Sequence, residues 1–265
     1  MKRRIVTVLL SPVIIFKRLC FWIGFAILLI AVGIAFMVFL FFHSLPDIAG
    51  MEYRQVRRMA RERVYERLED KKKMYRWVNL ASVNRDLIYA VIMSEDADFF
   101  RHSGINLDAL INSLAENIKR REFAFGGSTI SQQTARNIFL DDTKSVMRKL
   151  KELCITRRME RRFTKNEILE FYLNSAEFGP DIFGVNAASH YYFSKPPSVI
   201  NAAEGAFMAL MLPSPRKNHY RLYLNKNLSG QWKRKLRRVL RDMCTSGFIS
   251  EKQYRSYLNY RYFPG

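Results

Sequence analysis

Ser94-Glu95-Asp96-Ala97-Asp98-Phe99-Phe100-Arg101-His102-Ser103-Gly104 is followed by Gly126-Gly127-Ser128-Thr129-Ile130-Ser131-Gln132-Gln133-Thr134-Ala135-Arg136-Asn137 and then by Arg148-Lys149-Leu150-Lys151-Glu152. The residues ahead of the first block, from Asp86, have helical spacing, with Ile88, Val91, Ile92 and then Glu95 on one face. Desolvation at the end of that apolar stripe, beside the negative end of a helix dipole, raises a carboxyl pKa and makes a proton acceptor for neutral pH. The second block starts a helix with small and hydroxylated residues. Free amides there favour an anion, and Ser128, Thr129, Gln133 and Arg136 add polar contacts and a charge. In the third, a helix from Ser145 to Arg158 puts Ser145, Lys149, Glu152 and Thr156 on one polar stripe, with Val146, Leu150 and Leu153 turned away and Arg148 bordering at i, i+4 from Glu152. Read locally, each block also fits a blander account: a solvated turn at Glu95 and Asp96, a capped surface helix, and an exposed ion pair worth about 0.3–0.5 kcal/mol.

Taken together and in order, the blocks resemble the first three signature motifs of the peptidoglycan glycosyltransferases, which polymerise the lipid-linked disaccharide lipid II into glycan strands. Ile168-Leu169-Glu170-Phe171-Tyr172-Leu173-Asn174 with Gly179 and Gly184, and Glu204-Gly205-Ala206 running to Pro213, continue the match over roughly Leu80 to Tyr257. The resemblance implies an all-α, lysozyme-like catalytic domain of two lobes flanking a cleft. It implies that Glu95 is the general base that deprotonates the 4-hydroxyl of the incoming lipid II, with Asp96 helping to hold the site. Glu152 is then the second essential carboxylate, orienting Arg148 and Lys149, which neutralise the departing diphosphate. Phe99, His102, Ser128, Thr129, Gln133, Arg136 and Asn137 complete the substrate-binding set, His102 as a structural hydrogen-bonder within it, and Gly104, Asn174, Gly179 and Gly184 are structural. Two residues in the second block depart from the family pattern, Gly127 for Ala and Arg136 for Lys; the latter keeps the charge but replaces a point ammonium with a planar fork. Asn106 stands where relatives often have Asp.

The implied reaction is inverting transfer with release of undecaprenyl diphosphate, and the ending soon after Tyr257 leads to the expectation of no transpeptidase domain. No cofactor is required by the sequence; Mg or Mn near the diphosphate is implied by resemblance only, since no Cys or His cluster has metal-ligand spacing. Expected partners are lipid II, the growing glycan, membrane lipids and other cell-wall synthesis proteins. Two other readings remain: a membrane-anchored lytic muramidase, which the basic residues oppose because a neutral glycosidic bond needs no diphosphate clamp, and a non-catalytic anchor for anionic polymers.

Outside the blocks, Leu19 to Phe42 carries no charge. At 1.5 Å per residue it reaches about 36 Å, enough to cross a hydrocarbon core of roughly 30 Å. The run Ile5 to Phe16 contains Pro12 and is too short to span, and no small-x-small cleavage site follows it. The expected organisation is a basic cytoplasmic N-terminus at 1–18, a transmembrane helix at 19–42, a charged juxtamembrane segment at 43–79 and the glycosyltransferase domain at 80–265. Basic residues flank the span on both sides, Lys2, Arg3, Arg4, Lys17 and Arg18 before it and Arg54, Arg57, Arg58 and Arg61 after it. The resemblance therefore carries the orientation: N-terminus inside, catalytic domain outside the bacterial cytoplasmic membrane.

The formal charge is +20, and it is +15 once the five basic residues ahead of the span are removed. A domain tethered to a bilayer with that charge seeks lipid phosphates, and nucleic acid is not expected. Cys20 lies in the span, while Cys154 and Cys244 are isolated and expected as buried thiols. Met51 to Arg76 is densely charged with a poor apolar stripe, as in a solvated helix or stalk. Thr129-x-x-Gln132, Thr164-x-x-Glu167, Asn201-x-x-Glu204 and Ser250-x-x-Gln253 read as helix starts with reciprocal caps, and no alternation is long enough to predict a strand.

Overall fold

A computed structural model of the chain describes residues 2–70, 75–108, 110–111, 127–143, 145–226 and 228–263; Gly126 and residues 71–74 fall outside them. It divides into two compact units, Met1–Pro46 and Asp47–Gly265. The first is one helix, α1 (Lys2–His43). Pro12 does not end it, so the apolar stretch long enough to cross a membrane is Ile14–His43, 30 residues with none of them buried.

The second unit is built from α2 (Tyr53–Arg67), α3 (Arg85–Glu95), α4 (Ile130–Phe139), α5 (Val146–Arg162), α6 (Lys165–Ser175), α7 (Gly184–Phe193), α8 (Ala202–Ala209), α9 (Gly230–Thr245) and α10 (Glu251–Tyr257). All four expected capping boxes form, at α4, α6, α8 and α10, and Ser145 caps α5 by accepting the Arg148 N–H. Each cap satisfies helix amides that would otherwise lack partners. A short antiparallel pair, β1 (Glu177–Gly179) and β2 (Ile182–Phe183), interrupts the helices.

The segment expected as a stalk is instead part of the packed unit. Val56, Ala60 and Val64 of α2 are buried, and α2 packs on α4 and α6. Its arginines lie along the edge of that face: Arg63 donates to the Leu140 carbonyl at 2.7 Å and Arg67 pairs with Asp142 at 2.6 Å. Behind α2, the buried Glu170 carboxylate accepts from Trp77 Nε1 and the Leu80 N–H, both at 2.8 Å, and from the Tyr53 hydroxyl. Asn174 binds Val78 through both its N–H (2.8 Å) and its carbonyl (2.9 Å). The thiols are less enclosed than expected: Cys154 and Cys244 are half-buried, and Cys244 donates to Glu251 at 3.4 Å.

Two helix groups result. In one, α4 packs on α5 and α6; in the other, α3 packs on α8 and α9. Every residue of α8 is buried, and its Gly205 lets the two backbones approach: a Cβ there would lie 2.9 Å from Leu87 Cα and 3.1 Å from Ala90 Cβ. That contact fixes the helix whose last residue is Glu95.

Candidate active site

The chain leaves α3 at Asp96, whose carboxylate is the hub of the first block. It accepts the Ile130 N–H at 3.0 Å and lies 2.9 Å from His102 Nε2. His102 Nδ1 accepts the Gly104 N–H at 3.1 Å, so the ring proton sits on Nε2 and is donated to Asp96. Gly104 has φ +89°, and its carbonyl accepts the Thr129 hydroxyl at 2.6 Å. A Cβ at Gly104 would fall 2.8 Å from both Glu160 and Thr156 side-chain carbons. The anion favoured at the start of α4 is thus supplied by the protein itself, in Asp96, and the Thr129 hydroxyl faces inward as a cap. Phe99 has no exposed surface and sits under the Lys165 ammonium, 4.4 Å from its ring centre. Asp96, Phe99, His102 and Thr129 therefore hold residues 96–104 against the start of α4 and leave the adjacent cleft to other side chains.

That cleft, about 710 Å³, is lined on one side by Glu95, Ser128, Gln133 and Arg136 and on the other by Leu212, Pro213, Trp232, Lys235, Arg238 and Asp242. Val91 and Ile92 are buried and Ile88 half-buried, so Glu95 does end an apolar stripe. Burial pushes its carboxyl up to about 7; the Gln133 hydrogen bond and the Arg136 charge oppose the rise, and Asp96 adds to it. Gln133 Nε2 donates to Glu95 Oε2 at 2.8 Å, while Gln133 Oε1 accepts the Tyr172 hydroxyl at 3.2 Å. Asn137, one residue beyond Arg136, is half-buried and does not line this cleft.

Beside it, α5 turns its polar stripe inward. Glu152 and Thr156 have no exposed surface, whereas Val146 is 80% exposed and Leu150 46%. Glu152 takes Arg148 Nη1 at 3.0 Å and the Lys149 ammonium in a close ion pair, and Lys149 also reaches Ser128 Oγ at 3.2 Å. The exposed-ion-pair account of this block therefore fails, because the carboxylate that binds the two cations is wholly enclosed. Ser128 joins this cation pair to the cleft of Glu95.

Gly179 and Gly184 lie at tight approaches. A Cβ on Gly179 would meet the Tyr192 hydroxyl at 2.6 Å, and Gly184 has φ +80° with the Asn174 carbonyl 3.0 Å from its Cβ position. The α9 side chains in the cleft fell in no quoted block; only the amphipathic, basic pattern of that helix signalled them. Among the described residues no three His, Cys, Asp or Glu side chains converge as a ligand set. Both oxygens of Glu152 already face cations.

A family model described as Transglycosylase matches residues 61–244. Proteins named biosynthetic peptidoglycan transglycosylase are similar to this chain. That of Burkholderia thailandensis is 45% identical over 142 residues, covering 54% of this chain and 56% of the relative. The Ralstonia nicotianae protein is 44% identical over 142 residues (54% and 61%), and that of Pasteurella multocida 46% over 141 (53% and 57%). The matched stretch spans little more than half the length of these relatives.

Proposed function

The chain belongs to the transglycosylase family, and from that premise we propose that it is a membrane-anchored peptidoglycan glycosyltransferase acting on lipid II. The acceptor 4-hydroxyl oxygen bonds to the anomeric carbon of a lipid-diphosphate-linked donor. The bond from that carbon to the diphosphate breaks, its electron pair leaves on the diphosphate, and the acceptor proton passes to Glu95. The observation that carries the reading is the contrast between the two carboxylates. Glu95 is desolvated in the cleft with a neutral amide as its hydrogen-bond donor, which suits a base at neutral pH. Glu152 is enclosed between Arg148 and Lys149, which suits a counterion that holds cations for a leaving diphosphate.

The remaining roles follow from position. Arg136, on the cleft wall, adds a third cation for the donor diphosphate, with Ser128 and Gln133 as polar contacts. Asp96, Phe99, His102, Thr129 and Gly104 support the base from behind, and Asn174, Gly179 and Gly184 shape the backbone around β1 and β2. Helix α1 anchors the enzyme in the cytoplasmic membrane with its N-terminus inside, where the catalytic unit on the outer face meets lipid II, growing glycan and other cell-wall synthesis proteins. The test is incubation of the purified full chain with labelled lipid II, followed by separation of polymer from precursor. Polymer is expected. Soluble fragments from mature peptidoglycan, with lipid II left intact, would establish the muramidase instead.

A further inference from the structure

Tyr172 belongs to the stretch 168–174 that continues the match, and its hydroxyl is only one residue removed from the base. The side chain is fully buried in α6. Among the described residues, its hydroxyl has one hydrogen-bond partner, Gln133 Oε1 at 3.2 Å, and the other end of that amide meets Glu95 at 2.8 Å. An amide has a donor end and an acceptor end, whereas a phenol can serve as either. Burial keeps the Tyr172 hydroxyl protonated far above its usual range, so it always carries one proton and two lone pairs.

One hydrogen-bond direction is complete. With Glu95 ionised, Tyr172 donates to Gln133 Oε1 and Gln133 Nε2 donates to Glu95. Were the amide to turn by half a rotation once Glu95 has taken a proton, Nε2 would donate to Tyr172 and the phenol's own proton would have no acceptor among the described residues. The phenol therefore favours the ionised direction, and no proton passes along the chain. Resting on the glycosyltransferase reading, we propose that Tyr172 is a positioning residue for the base: by donating to Gln133 Oε1 it holds the donor end of the amide toward Glu95 and favours the ionised carboxylate.

Other charged groups facing Glu95 do not replace this chain. Asp96 is bonded to His102 and Ile130, and Arg136 acts on Glu95 through its charge. Across the cleft on α9, Lys235 lies over Trp232 at 4.8 Å and Arg238 is 3.7 Å from Asp242. On α8, Glu204 takes Lys195, Tyr260 and the Asn201 N–H. The ionised direction is charge-assisted along its length, so loss of the phenol weakens the carboxylate form more than the acid form.

The experiment uses the full chain in detergent micelles, with Tyr172→Phe, Gln133→Ala and the double variant. Two readouts are taken: the pH profile of kcat/KM for lipid II polymerisation, and an infrared titration of the Glu95 carboxyl, isolated by subtracting Glu95→Gln spectra. Tyr172→Phe should move the acid limb and the titration midpoint up by about half to one pH unit, which lowers the rate about 3- to 10-fold below the limb and leaves it within about twofold well above it. Gln133→Ala should move them further, and the double variant should match Gln133→Ala. A reduced rate with an unmoved midpoint would make Tyr172 merely structural, and additive shifts would show that it does not act through Gln133; either overturns the proposal. If the unmodified chain makes no polymer, the glycosyltransferase reading fails, and the infrared titration alone still decides the Tyr172 chain.

Discussion

Asp96, at the end of α3, accepts the backbone N–H of Ile130, the first residue of α4, at 3.0 Å. This one bond joins residues 34 positions apart and brings Gln133 onto Glu95. Asp96→Asn forces an amide N–H toward either Ile130 N–H or His102 Nε2–H, leaving donors face to face in a buried place. The expected loss is about 2 kcal/mol, seen as a Tm lowered by about 4–8 °C for a domain of this size. Polymerisation should fall further than the folded fraction does; an unchanged rate would show that the base does not depend on this junction.

Glu95→Gln should fold and lose polymerisation, to below about 1% of the parent rate, as expected when a positioned base worth about 10²–10⁴-fold is removed. Its stability has a defined pH signature. The folded-state pKa lies near 7 against an ordinary 4.5, so between those values the folded chain holds a proton that the unfolded chain releases. Stability from this group is complete below pH 4.5, declines as pH rises and is lost above about 7. Thermal melts should therefore show Glu95→Gln more stable than the parent at pH 8 and equal to it at pH 4.5.

Lys149→Ala separates a clamp for a leaving anion from an ordinary ion pair. Lys149 is 41% exposed, so its pairing should add less than about 1 kcal/mol to stability. A cation aimed at charge that develops in the transition state is worth about 10²–10³-fold in turnover. The expected variant melts near the parent temperature and polymerises about a hundredfold more slowly. A loss of only a few fold would remove Lys149 from the diphosphate clamp.

Gly205→Ala tests the packing that aims α3. Its Cβ would meet Leu87 Cα at 2.9 Å, a backbone atom that cannot swing aside, so overpacking of about 1–3 kcal/mol is expected. Displacement of α3 should also lower polymerisation, measured after correction for the folded fraction. Wild-type stability would mean that the two helices can separate without strain.

The four capping boxes were legible because each is complete within four residues. Helical spacing likewise put Lys149, Glu152 and Thr156 on one face of α5, but periodicity says only which residues share a face. The burial of that face depends on α4 and α6, which the local pattern does not contain. Helix α2 was misread for a related reason: Ala60 is too small to register in an apolar stripe dominated by arginines, yet it is fully buried. Of the site, Glu95, Gln133, Arg136 and the cations of α5 stood out in their blocks. The inward role of Thr129 did not, since a hydroxyl that reaches a substrate and one that caps a neighbouring loop look alike until the Gly104 carbonyl is in place. Trp232, Lys235 and Arg238 became cleft residues only through the packing of α9 on α3.

The reversed face of α5 sets a trap for anyone who would make this protein sturdier. A design procedure that rewards greasy interiors and polar exteriors would exchange Glu152 for leucine and Val146 for lysine, and the resulting chain should melt earlier, because the mostly enclosed Arg148 is left without its counterion. It should also be catalytically silent, because the exchange erases the enclosed counterion that keeps Arg148 and Lys149 in place. The helix that looks most in need of repair is the one whose disorder of preference has been kept for chemistry.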